Sequence, residues 1–309
     1  MSRPRAPQLL IRLTLAALLL FCATATLAQT ADAPAADTTI APAGAADDTS
    51  AIDKRQKLEE KAASNRFAII PYKQNYLLPF AYNTTPNKDP YRDQGIDLNR
   101  AEVKFQFSFK TPLWERIFAG RGTLYGAYTQ LSFWQAYNTS GSSPFRETNY
   151  EPEIFLAFDN DVPLLGVRNR MVVFGLEHQS NGRGKELSRS WNRVYAMFAF
   201  ERGNFYFAVR PWYRIPESSA SDDNPDIEKY LGHGEFYAVY TWGKQRFGLM
   251  LRNNLRARNR GAIQLDWSFP LFNKIDGYIQ YFNGYGESLI DYNHSANRFG
   301  VGMIFANWL

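Results

Sequence analysis

Cysteine is nearly absent: a single residue, Cys22, occurs in 309 positions. It falls inside an N-terminal leader, so the rest of the chain has no thiol, and disulfides and thiolate catalysis are both excluded. Long apolar runs are just as scarce. The only uninterrupted one lies in the first 30 residues, which excludes a bundle of membrane-crossing helices. A membrane β-barrel is not excluded, because its strands alternate apolar and polar residues and average to an ordinary hydropathy, here −0.39. A large excess of one charge is missing too. Without Arg3, Arg5 and Arg12 of the leader, 32 basic residues face 30 acidic ones, and no basic cluster points to nucleic acid as a partner.

The leader has three parts. Met1-Ser2-Arg3-Pro4-Arg5 is basic, Leu13 to Phe21 is leucine-rich, and Thr26-Leu27-Ala28 ends it in a small-x-small pattern. Residues 1–28 therefore read as a secretory signal peptide. Cys22 follows the bulky Phe21, where a lipid-anchored cysteine would follow a small residue. Residues 29–66 contain no aromatic residue and are rich in Ala, Asp, Thr and Pro. Such a segment cannot bury enough apolar surface to fold alone, and it reads as a low-complexity periplasmic tether with a helical turn or two around Lys54 to Ala63.

Aromatics are what the chain does have. Of 48 Phe, Tyr and Trp residues, 47 lie from residue 67 onward, a density suited to the interfacial girdles of an outer-membrane barrel. A single soluble domain is the plainer alternative. Twelve segments of alternating character follow: near 67–82, 99–111, 122–136, 148–160, 168–180, 190–201, 204–215, 230–241, 245–253, 260–269, 275–284 and 297–309. After the fifth, long polar links (181–189, 216–229, 285–296) alternate with tight turns such as Arg202-Gly203 and Gly243-Lys244. Short turns at one end and long loops at the other are the pattern of a transmembrane barrel, and an even strand number puts both chain ends on the periplasmic side. The fold class expected for 67–309 is all-β: a twelve-stranded antiparallel transmembrane β-barrel of the outer membrane.

Parity assigns the faces. Val172, Phe174 and Leu176 lie on one face, as do Val194, Ala196, Phe198 and Phe200 of the next segment, while Glu177, Gln179, Arg193 and Tyr195 lie on the other. Even residues thus face lipid there. In the last segment Phe299, Val301, Met303, Phe305 and Leu309 share the apolar face. The next lipid-facing residues after Leu176 are His178 and Ser180, and polar groups on that side are costly unless covered or placed at the interface. A hairpin centred on Lys185 sets Asn192 opposite His178, within about 5 Å. A serine beside an imidazole that a third group orients is the general arrangement for nucleophilic acyl transfer. Taken alone, the pair reads equally well as a polar mark at the membrane rim.

The stretches His178-Gln179-Ser180-Asn181-Gly182-Arg183 and Ser188-Arg189-Ser190-Trp191-Asn192-Arg193 resemble the signature of outer membrane phospholipase A. So do the runs 142–152, 222–226 (Asp222-Asp223-Asn224-Pro225-Asp226) and 284–292. The resemblance extends from about residue 67 to the C-terminus, marking 67–309 as the phospholipase domain. It implies a calcium-dependent enzyme that hydrolyses acyl esters of glycerophospholipids at both the A1 and A2 positions, embedded in the outer membrane and active as a homodimer. Carried over residue by residue, Ser180 is the nucleophile, His178 the base, Asn192 its orienting residue and the Gly182 amide part of the oxyanion hole. Calcium falls to the Arg183 carbonyl and the Ser188 hydroxyl, with Ser142 contributed by the second copy, and Asp223 matches a further calcium position. Lys185 stands about where the family carries an acidic residue. Gln130 aligns with a polar residue of the family's dimer interface.

Without the resemblance, Asp222, Asp223 and Asp226 read as a solvated loop, Gln130 as a rim glutamine, and His233 and His294 as loop or lumen residues that lack metal-ligand spacing. The rival functions are a passive porin and a structural barrel without activity. Bulky inward residues such as Trp191, Arg193, Tyr195, Glu201 and Arg210 argue against an open pore.

Overall fold

Each of the twelve alternating segments becomes a strand in the computed structural model, which describes residues 50–63, 65, 68–94, 97–272 and 275–307. The signal peptide expected at 1–28, and the tether as far as residue 49, lie outside the described residues, as do Trp308 and Leu309. A two-residue strand β1 (Ile70–Pro71) precedes β2 (Asn75–Asn83), β3 (Ala101–Arg116), β4 (Gly122–Trp134), β5 (Phe145–Leu164), β6 (Val167–Ser180) and β7 (Ser190–Arg202). Then come β8 (Phe205–Ile215), β9 (Gly234–Trp242), β10 (Gln245–Asn253), β11 (Gly261–Phe272), β12 (Ile275–Tyr285) and β13 (Ser295–Ala306). Each of β2 to β12 pairs antiparallel with its successor, and β13 pairs with β2 to close the barrel. Closure leaves no open edge, the condition for a sheet to cross a membrane.

The two faces follow the expected parity. In β6, Phe174 and Leu176 are each half exposed on the outer wall, while Val173 and Glu177 are buried at 1% and 3%. In β13, Phe299, Val301 and Phe305 face out and Arg298 is buried. Apolar residues outside and polar ones inside suit a wall whose solvent is hydrocarbon.

Ion pairs cross and fill the lumen. Arg210 reaches Glu153 at 3.1 Å and Glu235 at 3.2 Å, and it also bonds Glu177, which Arg193 contacts in turn. Lys73 holds Glu151 at 2.8 Å, and the Tyr195 hydroxyl donates to Glu153 at 2.8 Å. Gly175 sits under the Tyr195 ring, where a Cβ would come within 2.5 Å of it. Carboxylates this deep require such partners, because an unpaired buried charge costs several kcal/mol.

The barrel ends differ as the loop lengths foretold. Leu165-Gly166, Gly203-Asn204 and Gly243-Lys244 are tight turns at one end. At that same end lies an N-terminal helix, Ala51–Ala63, longer than the turn or two expected and docked against the barrel. Arg55 donates to the carbonyls of Asn307 (3.1 Å), Pro71 (2.9 Å) and Tyr72 (3.2 Å), and Gln56 bonds Asp159 at 2.8 Å. Glu59 pairs with Lys110 at 2.8 Å, and Arg170 contacts Asp53. Burial raises the Glu59 carboxyl, but Lys110 and Arg55 outweigh it and hold the group below its ordinary value.

At the other end the loops fold inward. Glu287, in the loop between β12 and β13, bonds Lys104 at 2.9 Å and Arg298 at 2.8 Å. Burial acts to raise its carboxyl, yet the two cations win and bring it down to about 2.

Candidate active site

The β6–β7 hairpin builds the site. Its register pairs Leu176 with Val194, His178 with Asn192 and Ser180 with Ser190, as the hairpin centred on Lys185 requires. His178 Nδ1 lies 2.9 Å from Asn192 Oδ1. An amide oxygen only accepts, so Nδ1 carries the proton and Nε2 is left with a free lone pair. The orientation of that amide is fixed from behind, where Asn192 Nδ2 donates to Glu217 Oε1 at 3.3 Å. Ser180 is two residues along the same face from His178 and half-buried; opposite it in β5 stands Tyr150. No hydrogen bond joins Ser180 to His178 among the described residues, and such contacts are often long before substrate binds.

The loop after Ser180 is held by one buried amide. Asn181 Oδ1 accepts from the N–H groups of Arg183 (3.2 Å) and Arg189 (3.0 Å), while Nδ2 donates to the Leu187 carbonyl at 2.8 Å. This staple shapes residues 182–189 into a tight arch. Gly182 sits at its start with φ +62°, and a Cβ there would meet the Tyr150 ring at 3.0 Å. Both constraints require glycine.

The same arch carries Ser188, whose hydroxyl donates to Asp223 Oδ2 at 2.5 Å. Asp223 is brought there by its neighbours. Fully buried Asn224 accepts from the Ser190 N–H at 3.0 Å, and Asp222 is taken by Arg214 at 2.6 Å. Asp226 accepts from the Tyr292 hydroxyl at 2.7 Å. Of the three aspartates, only Asp223 meets a second residue expected at a metal. Ser142 stands apart, exposed in the β4–β5 loop with φ +59°, and no contact joins it to Ser188 or Asp223 among the described residues. Arg183 Nη2 spans part of the gap, bonding the carbonyls of Phe145 (2.9 Å) and Arg146 (3.0 Å).

Below the hairpin tip the outer wall carries an open apolar groove of about 660 Å³. Leu176 and Val194, one pair down from His178 and Asn192, line it with Ile154, Leu156, Phe174 and Tyr213. Two strands from Ser180, the outward Gln130 accepts from the Tyr128 hydroxyl at 3.2 Å and donates to Ser132 at 3.1 Å. His233 lies 3.4 Å from Glu228, and His294 is 2.9 Å from the Thr85 carbonyl; both are loop residues.

Sequence reasoning brought His178 and Asn192 together correctly but missed Glu217 and the stapling role of Asn181. Glu217 lies in an irregular loop 25 residues beyond Asn192, where no periodicity marks a side chain's direction. Asn181 was inside a recognised motif, yet a staple is visible only as three backbone groups converging on one amide.

A closed twelve-stranded barrel with an apolar outer wall, interrupted at one rim by a serine and a hydrogen-bonded His–Asn pair, defines a bacterial outer-membrane barrel with a polar cluster on its lipid-facing side. The Phospholipase A1 family profile matches residues 52–305. Phospholipase A1 of Klebsiella pneumoniae is 41% identical over 242 residues, 78% of this chain and 83% of that protein, and that of Escherichia coli K12 is 41% identical over 82% of its length. Among solved structures, the Salmonella typhi outer membrane phospholipase dimer with bound calcium superposes with a TM-score of 0.74 at 39% identity, covering 79% of this chain and 94% of that one. The outer membrane phospholipase A from Escherichia coli gives the same score and is covered in full. The chain belongs to the phospholipase A1 family of the bacterial outer membrane.

Proposed function

We propose that this protein is a calcium-dependent outer-membrane phospholipase that cleaves acyl esters at both glycerol positions of phospholipids. The observation that carries the reading is the His178–Asn192 hydrogen bond on the lipid-facing wall, two residues from Ser180 and directly above the apolar groove. The groove takes an acyl chain of the lipid, which sets the ester at the rim.

The arrangement supports a role for each residue. His178 Nε2 takes the Ser180 hydroxyl proton as the oxygen attacks the ester carbon, then returns it to the departing alcohol. Asn192 keeps the ring in the productive tautomer, and Glu217 keeps Asn192 from rotating. The Gly182 N–H, presented by the stapled arch, donates to the oxyanion. Water then attacks the acyl-serine by the same proton path.

The donor set fits a hard divalent cation. The Ser188 hydroxyl and Asp223 carboxylate already converge, the Arg183 carbonyl belongs to the same arch, and calcium is bound through oxygens of these kinds. These three groups would hold calcium, with Ser142 of a second copy completing the set in a homodimer, and the ion would supply positive charge to stabilise the oxyanion. The outward Gln130, with the Tyr128 hydroxyl beside it, supports the dimer, since partly exposed polar groups in hydrocarbon call for cover.

The test mixes two inactive variants. Ser142→Ala and Ser180→Ala homodimers should each be nearly silent in a thioester lipid assay. In the heterodimer one subunit keeps Ser180 and receives an intact Ser142, so activity should return, and a chelator should abolish it. Full activity of Ser142→Ala alone across a calcium titration, or no recovery in cross-linked heterodimers, would refute the shared site. Hydrolysis of lipids blocked at one glycerol position separates A1 from A2 activity.

A further inference from the structure

Away from the β6–β7 hairpin, the β10–β11 loop (254–260) leans on the four-residue helix Glu228–Leu231, and between them lies a cavity of about 290 Å³. Its lining is strongly cationic: Arg256, Arg258 and Arg260 from the loop, and Lys229 from the helix. No carboxylate among the described residues forms an ion pair with any of the four. Asp226 is the one acid in the lining, and its carboxylate already accepts from the Tyr292 hydroxyl.

The loop is built rather than draped. Asn254, 4% exposed, uses its whole amide: Oδ1 accepts from the N–H groups of Arg256 (3.2 Å) and Arg260 (3.0 Å). Its Nδ2 donates to the carbonyls of Arg258 (3.1 Å) and Lys229 (2.7 Å). One side chain thus fixes the backbone from which all four cations project. Arg260 is fixed further by stacking on Tyr230, 3.9 Å from guanidinium carbon to ring centroid. Several guanidinium groups without carboxylate partners, projecting from a fixed backbone with one of them stacked in place, are the chemistry that recognises a phosphoryl group.

We infer that this cavity binds the phosphoryl group of an anionic phosphate ester. The loop lies at the barrel end opposite the N-terminal helix, with the long loops, where the strands emerge from the outer leaflet. A phosphorylated lipid headgroup and a soluble phosphate are the two sources of such a ligand. Leu255, 90% exposed at the loop tip, sets an apolar side chain beside the arginines, an arrangement suited to a headgroup layer. None of the lining residues belongs to the proposed triad or calcium donors, so the inference stands apart from the hydrolytic reading.

The test uses the full-length refolded protein in non-ionic detergent with chelator present, so that no divalent ion bridges phosphate to a carboxylate. Native mass spectrometry compares binding of a lipid with a glucosamine-phosphate headgroup, its dephosphorylated counterpart, and inorganic pyrophosphate. The wild type should favour the phosphorylated lipid by ~10-fold or more, and Arg256→Gln/Arg258→Gln/Arg260→Gln should erase that preference. Competition by pyrophosphate at similar concentration assigns a soluble source, and failure to compete assigns the lipid; either supports the site. Heat-modifiable gel mobility reports folding. If the triple variant does not fold, Arg256→Gln/Arg258→Gln, which leaves the Arg260–Tyr230 stack in place, carries the test with a partial loss. A wild type indifferent to phosphate, or folded variants that keep the full preference, would overturn the proposal.

Discussion

The two faces of the β6–β7 hairpin lie one residue apart and obey opposite rules. On the inner face Glu177, Gln179, Arg193 and Tyr195 are polar throughout, and each is held by a lumen partner. On the outer face Phe174, Leu176 and Val194 are apolar up to the last turn, where His178, Ser180 and Asn192 appear together. A buried polar group inside the barrel is therefore explained by its neighbours. One on the lipid side is not, and among the described residues His178 Nε2 has no hydrogen-bond partner. The contrast teaches that, within the barrel wall, polarity calls for a reason beyond packing only where the surface should be apolar.

The strongest way to break the contrast is Ser180→Ala. It should lower lipid turnover by ~10³-fold or more with unchanged heat-modifiable mobility, and appreciable activity in a folded variant would remove the outer face's claim to chemistry. Next comes Asn192→Ala, for which a loss of about 10²-fold is expected because the imidazole loses its orientation, whereas Asn192→Asp should keep part of the rate. The inner face should respond in the opposite currency. Glu177→Ala removes the buried carboxylate that Arg193 and Arg210 share, so urea unfolding should show a loss of about 3 kcal/mol, while turnover per folded molecule stays within about twofold.

Glu217 sharpens the comparison, since it meets the outer cluster through Asn192. Glu217→Ala should reduce kcat by ~5-fold, the worth of one hydrogen bond, at unchanged KM. Glu217→Gln, which still accepts from Asn192 Nδ2, should restore it; a purely structural role would not discriminate between the two. The smallest effect on turnover is expected far from the hairpin, at Glu287, where the loss is one of stability. Its carboxyl sits at about 2 in the folded protein against an ordinary 4.5, so its contribution to stability is complete above about pH 4.5 and disappears as the pH falls toward 2. Thermal unfolding of Glu287→Gln should show a shallower decline across that window than the wild type.

Much of this architecture was legible because a barrel writes its register into period-two alternation. Even the Asn192–His178 pairing followed from counting outward from Lys185, since a hairpin preserves parity. Strand lengths were less legible. β5 runs from Phe145 to Leu164, well past the alternating stretch at 148–160, because its polar end at Asp159-Asn160-Asp161 extends beyond the apolar belt and reads as loop. The docked helix was equally hidden, for its partners Lys110, Asp159 and Arg170 are 51 to 117 residues away and leave no local pattern. Glu217 belongs to the same class of long-range contacts.

Arg55 gives the molecule a record of its own assembly. The carbonyls it gathers belong to Pro71 and Tyr72, just ahead of the first barrel strand, and to Asn307, just after the last. Those two stretches become neighbours only when β13 pairs with β2, so the three-way clasp cannot exist in a half-built sheet. Residues 51–63 are thus the first of the described chain to be synthesised and among the last to be fixed. Their resistance to protease would time the moment at which the cylinder shuts.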